Sequence, residues 1–253
     1  MSYPENILST RVVVKPGKYA VLPEDALVNN VIPSIKNCRV SIVASPKMGA
    51  SFVEYIITAQ PGGYSTKHLA NEDGIESFLY CIEGDIECGV GLDTYNLTSG
   101  GYIFAPSDTG IKFKCEKEAK ILFYKQRYIP LAGGEKPYIC VGNVNEMEYQ
   151  EYEGMKNVFI KDLLPKDLAF DMNMHILSFN PGGCHSFIET HVQEHGAYIL
   201  SGEGMYYMED KWMPIKKNDF MWFGPYVAQG CYGIGREPFA YIYSKDCNRD
   251  VDL

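Results

Sequence analysis

Short apolar runs broken by Gly, Pro and acidic turns follow one another along nearly the whole chain, and few of them carry a helical period. Arg11-Val12-Val13-Val14 and Tyr19-Ala20-Val21-Leu22 flank a Pro16-Gly17 turn. Ser51 to Thr58, Ser77 to Ile82, Tyr102-Ile103-Phe104 and Ile121-Leu122-Phe123-Tyr124 are dense in β-branched and aromatic residues and predict strands. The best helical stretch, Lys161 to Phe170, is interrupted by Pro165 and predicts one or two turns at most. The predicted fold class is all-β.

The same landmarks occur twice. Pro61-Gly62-Gly63, read as a turn, returns as Pro181-Gly182-Gly183, each after an apolar strand. Tyr80-Cys81-Ile82-Glu83-Gly84 matches Tyr198-Ile199-Leu200-Ser201-Gly202, and Leu122-Phe123-Tyr124-Lys125 matches Ile242-Tyr243-Ser244-Lys245. A fixed order at one nearly constant offset marks a duplicated module. The connection falls within Ile129 to Gly154, which predicts domains at 1–130 and 131–253.

Composition narrows the function without naming it. The chain has 253 residues, 46% hydrophobic and 22% charged, enough to bury a substantial core. A net charge of -9 and no basic run argue against a nucleic-acid surface, which needs clustered Lys and Arg. No apolar run is long enough to cross a bilayer and no secretory leader is visible at the start, so no membrane partner and a cytoplasmic setting are expected. The eight cysteines include no CxxC pair, which predicts reduced packing residues rather than a knuckle or redox site.

The chemistry concentrates in Glu189-Thr190-His191-Val192-Gln193-Glu194-His195, three metal-binding side chains within seven residues. In a strand, Glu189 and His191 share a face, and His195 joins them after a bend. One carboxylate and two imidazoles suit zinc, manganese, iron or nickel; the plain alternative is a polar edge with two solvated histidines. Cys184 beside His185 invites a nucleophile reading, but strand neighbours face opposite ways. His175, in an apolar strand, reads as a pocket or core residue. The first copy offers only His68 in the matching segment and Gly110 or its neighbour at the late position, which predicts no metal and a structural role there.

The element order resembles the cupin pattern: a Gly-bounded His/Glu segment, Gly183 to Gly202, and then Asp219-Phe220-Met221-Trp222-Phe223-Gly224-Pro225 leading to Gln229. The resemblance implies a bicupin, two tandem jelly-roll barrels, with a metal held by Glu189, His191, His195 and Gln229 in the second. Gln229 in place of the usual His adds a neutral oxygen and shifts preference toward Mn²⁺. Tyr206, Tyr241, Tyr243 and Lys245 then line the same cavity, the last three sharing one face by parity.

Three longer stretches are more specific: Asp171 to Phe179, Glu189 to Gly202, and Tyr241 to Asp250. These are similar to the (S)-ureidoglycine aminohydrolase family. The similarity implies release of ammonia from (S)-ureidoglycine to give (S)-ureidoglycolate in allantoin degradation. It implies one Mn²⁺ in the second barrel, substrate contacts from Glu189, Gln229, Tyr206, Tyr241 and Lys245, and catalytic roles for Tyr241 and Lys245. A small-molecule substrate and a homo-oligomer are the partners expected. The competing readings are a cupin-type metal-dependent dioxygenase or isomerase acting on a small carboxylate, and a sugar-binding or storage bicupin.

Overall fold

Two eight-strand halves of matching order make up the protein, a computed structural model that describes residues 11–251. The leading residues searched above for a secretory leader lie outside that range. The first half carries Ile35–Ala44, Val53–Ser65, Ile75–Glu83, Asp85–Val90, Asp93–Thr98, Gly101–Ala105, Lys112–Lys114 and Ala119–Arg127. The second repeats the series as Val158–Asp162, Met172–Phe179, His195–Ser201, Glu203–Met208, Lys211–Lys216, Phe220–Phe223, Gln229–Gly233 and Phe239–Asp246. All pairings between named strands are antiparallel, and each half curls into a barrel. The all-β expectation and the duplication hold.

Burial explains why some strands alternate and others are apolar throughout. Asp85–Val90 and Glu203–Met208 share one alternating pattern of exposed and buried positions, because each has a barrel core on one side and solvent on the other. Met172–Phe179, Gly101–Ala105 and Phe220–Phe223 are buried at every residue. One face of these strands fills a barrel interior, around Ile57, Leu79 and Phe123 in the first half and Leu177, Ile199 and Met221 in the second. The other face meets the opposite barrel, where Phe52, Phe78, Phe104 and Leu122 pack with Met174, Ile176, Trp222 and Ile242. Each fully buried side chain of this size contributes about 1.5–3 kcal/mol.

The halves are also interlocked. Tyr19–Leu22, which precedes the first barrel, pairs with Phe220–Phe223 of the second. Cys140–Asn143, which precedes the second barrel, pairs with Gly101–Ala105 of the first. Each leading strand thus extends the other half's sheet, and the backbone crosses the 130/131 division in both directions.

Two local expectations are corrected. Lys161 to Phe170 forms no helix: Lys161 and Asp162 end a strand paired with Ile176 and His175, and the following loop is held by its neighbour. Leu163 N–H donates to Met174 O, and the Asn173 amide brackets Leu164, accepting from its N–H and donating to its carbonyl, both at 3.1 Å. A side chain that supplies both backbone bonds removes the reason to coil, and Pro165 lacks the N–H a helix would use. Pro61-Gly62-Gly63 is no free turn either. It lies inside the long strand Val53–Ser65, where the register opposite Lys36 and Cys38 slips; Gly62 sits at φ +77°, and its N–H donates to Cys115 O. All eight cysteines are free, as expected.

The fully buried Tyr19 anchors its exchanged strand in the second barrel's core. Tyr19→Ala is therefore expected to cost about 3 kcal/mol, read as a lowered denaturant midpoint. A loss below about 0.5 kcal/mol, the scale of a surface change, would show that this strand does not hold the barrel together.

Candidate active site

The residues from Pro181 to Glu194 do not form the strand that parity assumed. The segment is an irregular loop pinned to the strand Gln229–Gly233 at two isolated bridges, Cys184 with Tyr232 and Glu189 with Gln229. Glu189 and Gln229 exchange both backbone hydrogen bonds at 2.9 Å, and Tyr226 N–H donates to His191 O. His195 opens the next strand, paired across from Phe223. Loop and strand together still bring the four expected side chains to one place.

Their meeting point is His191 Nε2, with Gln229 Nε2 at 2.9 Å, His195 Nε2 at 3.3 Å and Glu189 Oε1 at 4.0 Å. Both imidazoles spend their other nitrogen on backbone: His191 Nδ1 donates to Gln193 O at 3.0 Å and His195 Nδ1 to Ser244 O at 2.8 Å. A carbonyl only accepts, so both Nδ1 atoms carry protons, and the neutral rings present lone pairs at Nε2. Burial pushes both imidazole pKa values down, His195 well below its ordinary value, with Lys245 adding to the effect at His191 and His191 at His195. Two neutral lone pairs facing each other at 3.3 Å repel unless something electropositive lies between them.

The donor set fits a divalent cation in kind: two imidazole nitrogens, a carboxylate, and an amide whose oxygen faces the rings after a half-turn of the side chain. Among the described residues, no three His, Cys, Asp or Glu side chains are grouped closely enough to hold an ion unaided. Gln229, the fourth expected ligand, is outside those residue types.

The cavity beside this cluster is small, about 30 Å³. Tyr206, Tyr241, Tyr243 and Lys245 line it, the last three from one face of a single strand, together with Glu189, His195 and Gln229. Tyr206 hydroxyl lies 3.3 Å from both Gln229 Oε1 and Tyr241 hydroxyl. Burial raises the phenol pKa of Tyr206, Tyr241 and Tyr243 well above the usual value, so all three remain donors at neutral pH. Burial also raises the Glu189 carboxyl, against the opposing pull of Lys245.

His185 and Tyr152 complete the wall. His185 is no partner for Cys184: its Nδ1 accepts the Cys231 N–H at 3.0 Å, burial holds its pKa near about 4, and Cys184 is exposed. Tyr152 went unassigned in the sequence because it sits in the acidic connection, where no period marks a buried side chain. His175 packs 5.1 Å from the Tyr243 ring and bonds Asp162 Oδ1 at 2.7 Å, a satisfied core residue, one of the two roles expected of it.

The first barrel supplies an internal comparison. Its bridge equivalent to Glu189–Gln229 joins Leu69 and Ile111, both buried. Ser77, opposite Ala105, takes the place of His195 opposite Phe223. The late position is therefore Ile111, the neighbour of Gly110, as the sequence allowed, and neither bridge residue has a side-chain donor atom for a metal.

No family model matches the chain. It is 48% identical over 254 residues to the (S)-ureidoglycine aminohydrolase of Escherichia coli (strain K12), covering 99% of this chain and 97% of that protein. The chain belongs to the (S)-ureidoglycine aminohydrolase family. The family's Arabidopsis thaliana member is 29% identical over 95% of this chain and 79% of that one. A crystal structure of protein Ylba from E. coli superposes with a TM-score of 0.88 at 44% identity, covering 100% of both chains. Oxalate decarboxylase of Bacillus subtilis, a protein with Mn(II) centres, matches with a TM-score of 0.69 at 13% identity over 99% of this chain and 81% of that one. That last likeness concerns the fold alone, and it is the bicupin fold. No helix among the described residues is long and apolar enough to cross a membrane.

One acid-sensitive contact packs behind Tyr243 of this cavity. The His175 hydrogen bond, helped by Lys166 at 2.7 Å, holds the Asp162 carboxyl down at about 2, while burial lowers the His175 pKa against the opposing pull of Asp162. A depressed carboxylate contributes stability that is complete above its ordinary value near ~4 and is lost as pH falls toward the folded value. The stability gap between wild type and Asp162→Asn should accordingly shrink as pH falls from about 4 to about 2. Urea melts that show a pH-independent gap across that window would rule out this linkage.

Proposed function

We propose that the protein releases ammonia from (S)-ureidoglycine to give (S)-ureidoglycolate, a step in allantoin degradation. We further propose that one Mn²⁺ held by Glu189, His191, His195 and Gln229 supports the reaction. The activity is carried by near-full-length identity to a relative of that name. The metal is supported by the two unprotonated imidazole nitrogens 3.3 Å apart beside an amide and a carboxylate.

The substrate carbon bears an amine, a carboxylate and a ureido group. In the reaction its bond to the amine nitrogen breaks, a bond to a water oxygen forms, and the nitrogen leaves as ammonia. A bound divalent metal supplies Lewis acidity and a fixed anchor for the substrate's oxygens. Lys245 puts the cavity's ammonium where it can pair with the substrate carboxylate or pass a proton to the departing nitrogen. Tyr241 and Tyr206, held as phenols, donate to the ureido or carboxylate oxygens and fix which face of the carbon meets water. With the Gln229 amide turned to present its oxygen to a metal, its NH₂ would face the Tyr206 hydroxyl, which accepts from it. The walls formed by Leu177, Ala197 and Phe223 exclude bulk water from the reacting centre.

The deciding assay follows ammonia release from freshly generated ureidoglycine, with and without added Mn²⁺, and resolves the handedness of the ureidoglycolate formed. Oxygen consumption in place of ammonia release would favour the dioxygenase reading. Lys245→Met should lower kcat by about 10²-fold or more while Mn²⁺ content stays at the wild-type level. Near-normal turnover in that variant would remove Lys245 from the mechanism.

A further inference from the structure

Glu194 lies between two of the proposed ligands in the sequence, yet its side chain points away from them. It is only 8% exposed. Its Oε1 accepts the Ser51 backbone N–H at 2.9 Å, and its Oε2 accepts the Trp222 indole N–H at 2.9 Å. Its own backbone N–H donates to Asp246 Oδ1 at 2.8 Å. No Lys, Arg or His among the described residues forms an ion pair with it.

These partners come from three directions. Ser51 belongs to the first barrel, Trp222 to the apolar layer between the barrels, and Asp246 follows Lys245 directly in the chain. One residue beyond His195, the first barrel presses on the backbone itself. A Cβ on Gly196 would fall within 2.8 Å of the Phe52 ring and closer still to Glu54 Oε2.

We infer that Glu194 is a positioning residue through which the first barrel holds His195 and Lys245 in register. The inference rests on the activity and metal proposed for this site. The chemistry explains why a carboxylate stands there. Two N–H donors from different halves of the fold converge on one side chain, and only a carboxylate offers each an acceptor oxygen. An isosteric amide turns an NH₂ toward one of them and leaves a buried donor facing a donor. The displacement passes to the imidazole one residue away and, through Asp246, to the lysine strand.

The test compares wild type, Glu194→Gln, Trp222→Phe and the double variant, each as the full chain and each checked for folding by circular dichroism. Two quantities are read: the Kd for Mn²⁺ titrated alone, and kcat and KM for ammonia release. Glu194→Gln should raise the Kd for Mn²⁺ and lower kcat, each about 10–100-fold, while KM moves far less than kcat. Trp222→Phe removes one donor and should cost about fivefold, the worth of a single hydrogen bond. The double variant should recover part of the Glu194→Gln loss, because the amide then no longer faces the indole N–H, a rescue that general loosening of the fold would not give.

A folded Glu194→Gln protein whose Kd and kcat both lie within twofold of wild type overturns the inference. Should that variant not fold, Trp222→Phe decides in the same way: an unchanged kcat and Kd overturn it. Wild type that releases ammonia without taking up Mn²⁺ refutes the metal reading and leaves kcat as the deciding quantity. Wild type that binds Mn²⁺ but leaves ureidoglycine intact refutes the activity and leaves the Kd to decide.

Discussion

The apolar layer packed between the two barrels' sheets is the constraint on which the remaining features depend. Met172–Phe179 is buried at all its positions because its two faces serve two different cores. A strand covered on both sides has no solvent face on which to place a charge, so polar groups there must find partners or be neutral. Burial holds the Glu54 carboxyl at about 8, protonated at neutral pH, where its strand faces the second barrel. Glu194, a few residues away in space, instead gathers two N–H donors. The exchanged strands Tyr19–Leu22 and Cys140–Asn143 strengthen the constraint, since neither barrel's sheet is complete without chain from before the other.

That geometry decides what could be read from the sequence. Alternating strands on the solvent side and uniformly apolar strands between the barrels both leave strong local signals, so most strands and the duplication were legible. Parity also placed Tyr241, Tyr243 and Lys245 on the cavity wall, because they lie on a regular strand. It failed for Glu189 and His191, which sit on a loop whose shape is set by bridges to Gln229 and Tyr232 some forty residues on in sequence. Lys161 to Phe170 misled for a related reason. Its spaced apolar residues fill the layer between the barrels from an irregular path, and the Asn173 side chain that fixes the path belongs to the next strand. Glu194 was visible inside the motif but had no assigned role, since its partner Ser51 lies 143 residues earlier.

The two copies differ at the bridge beside the proposed site. The bridge that joins Glu189 to Gln229 joins Leu69 to Ile111 in the first barrel. A carboxylate, two imidazoles and an amide crowded into a barrel mouth are unfavourable in isolation, because each loses water and the lone pairs of His191 and His195 face each other. Such a cluster is tolerated where a cation and a substrate compensate it. The first barrel, with Leu69 and Ile111 at the corresponding bridge, gains ordinary apolar burial there instead.

The first barrel is therefore free to act as a rigid wall. Phe52 and Glu54 stand against Gly196, the Ser51 N–H meets Glu194, and the backbone that follows His195 has little room to move. A ligand loop as irregular as residues 183–194 would by itself be the most mobile part of the site. Holding its end against a second, well-packed barrel supplies the stiffness that the loop lacks, and a displacement of even one ångström at a reacting centre can cost about 10² in rate. In this arrangement the duplicated copy still serves the reaction, as the surface that fixes the other copy's histidine in place.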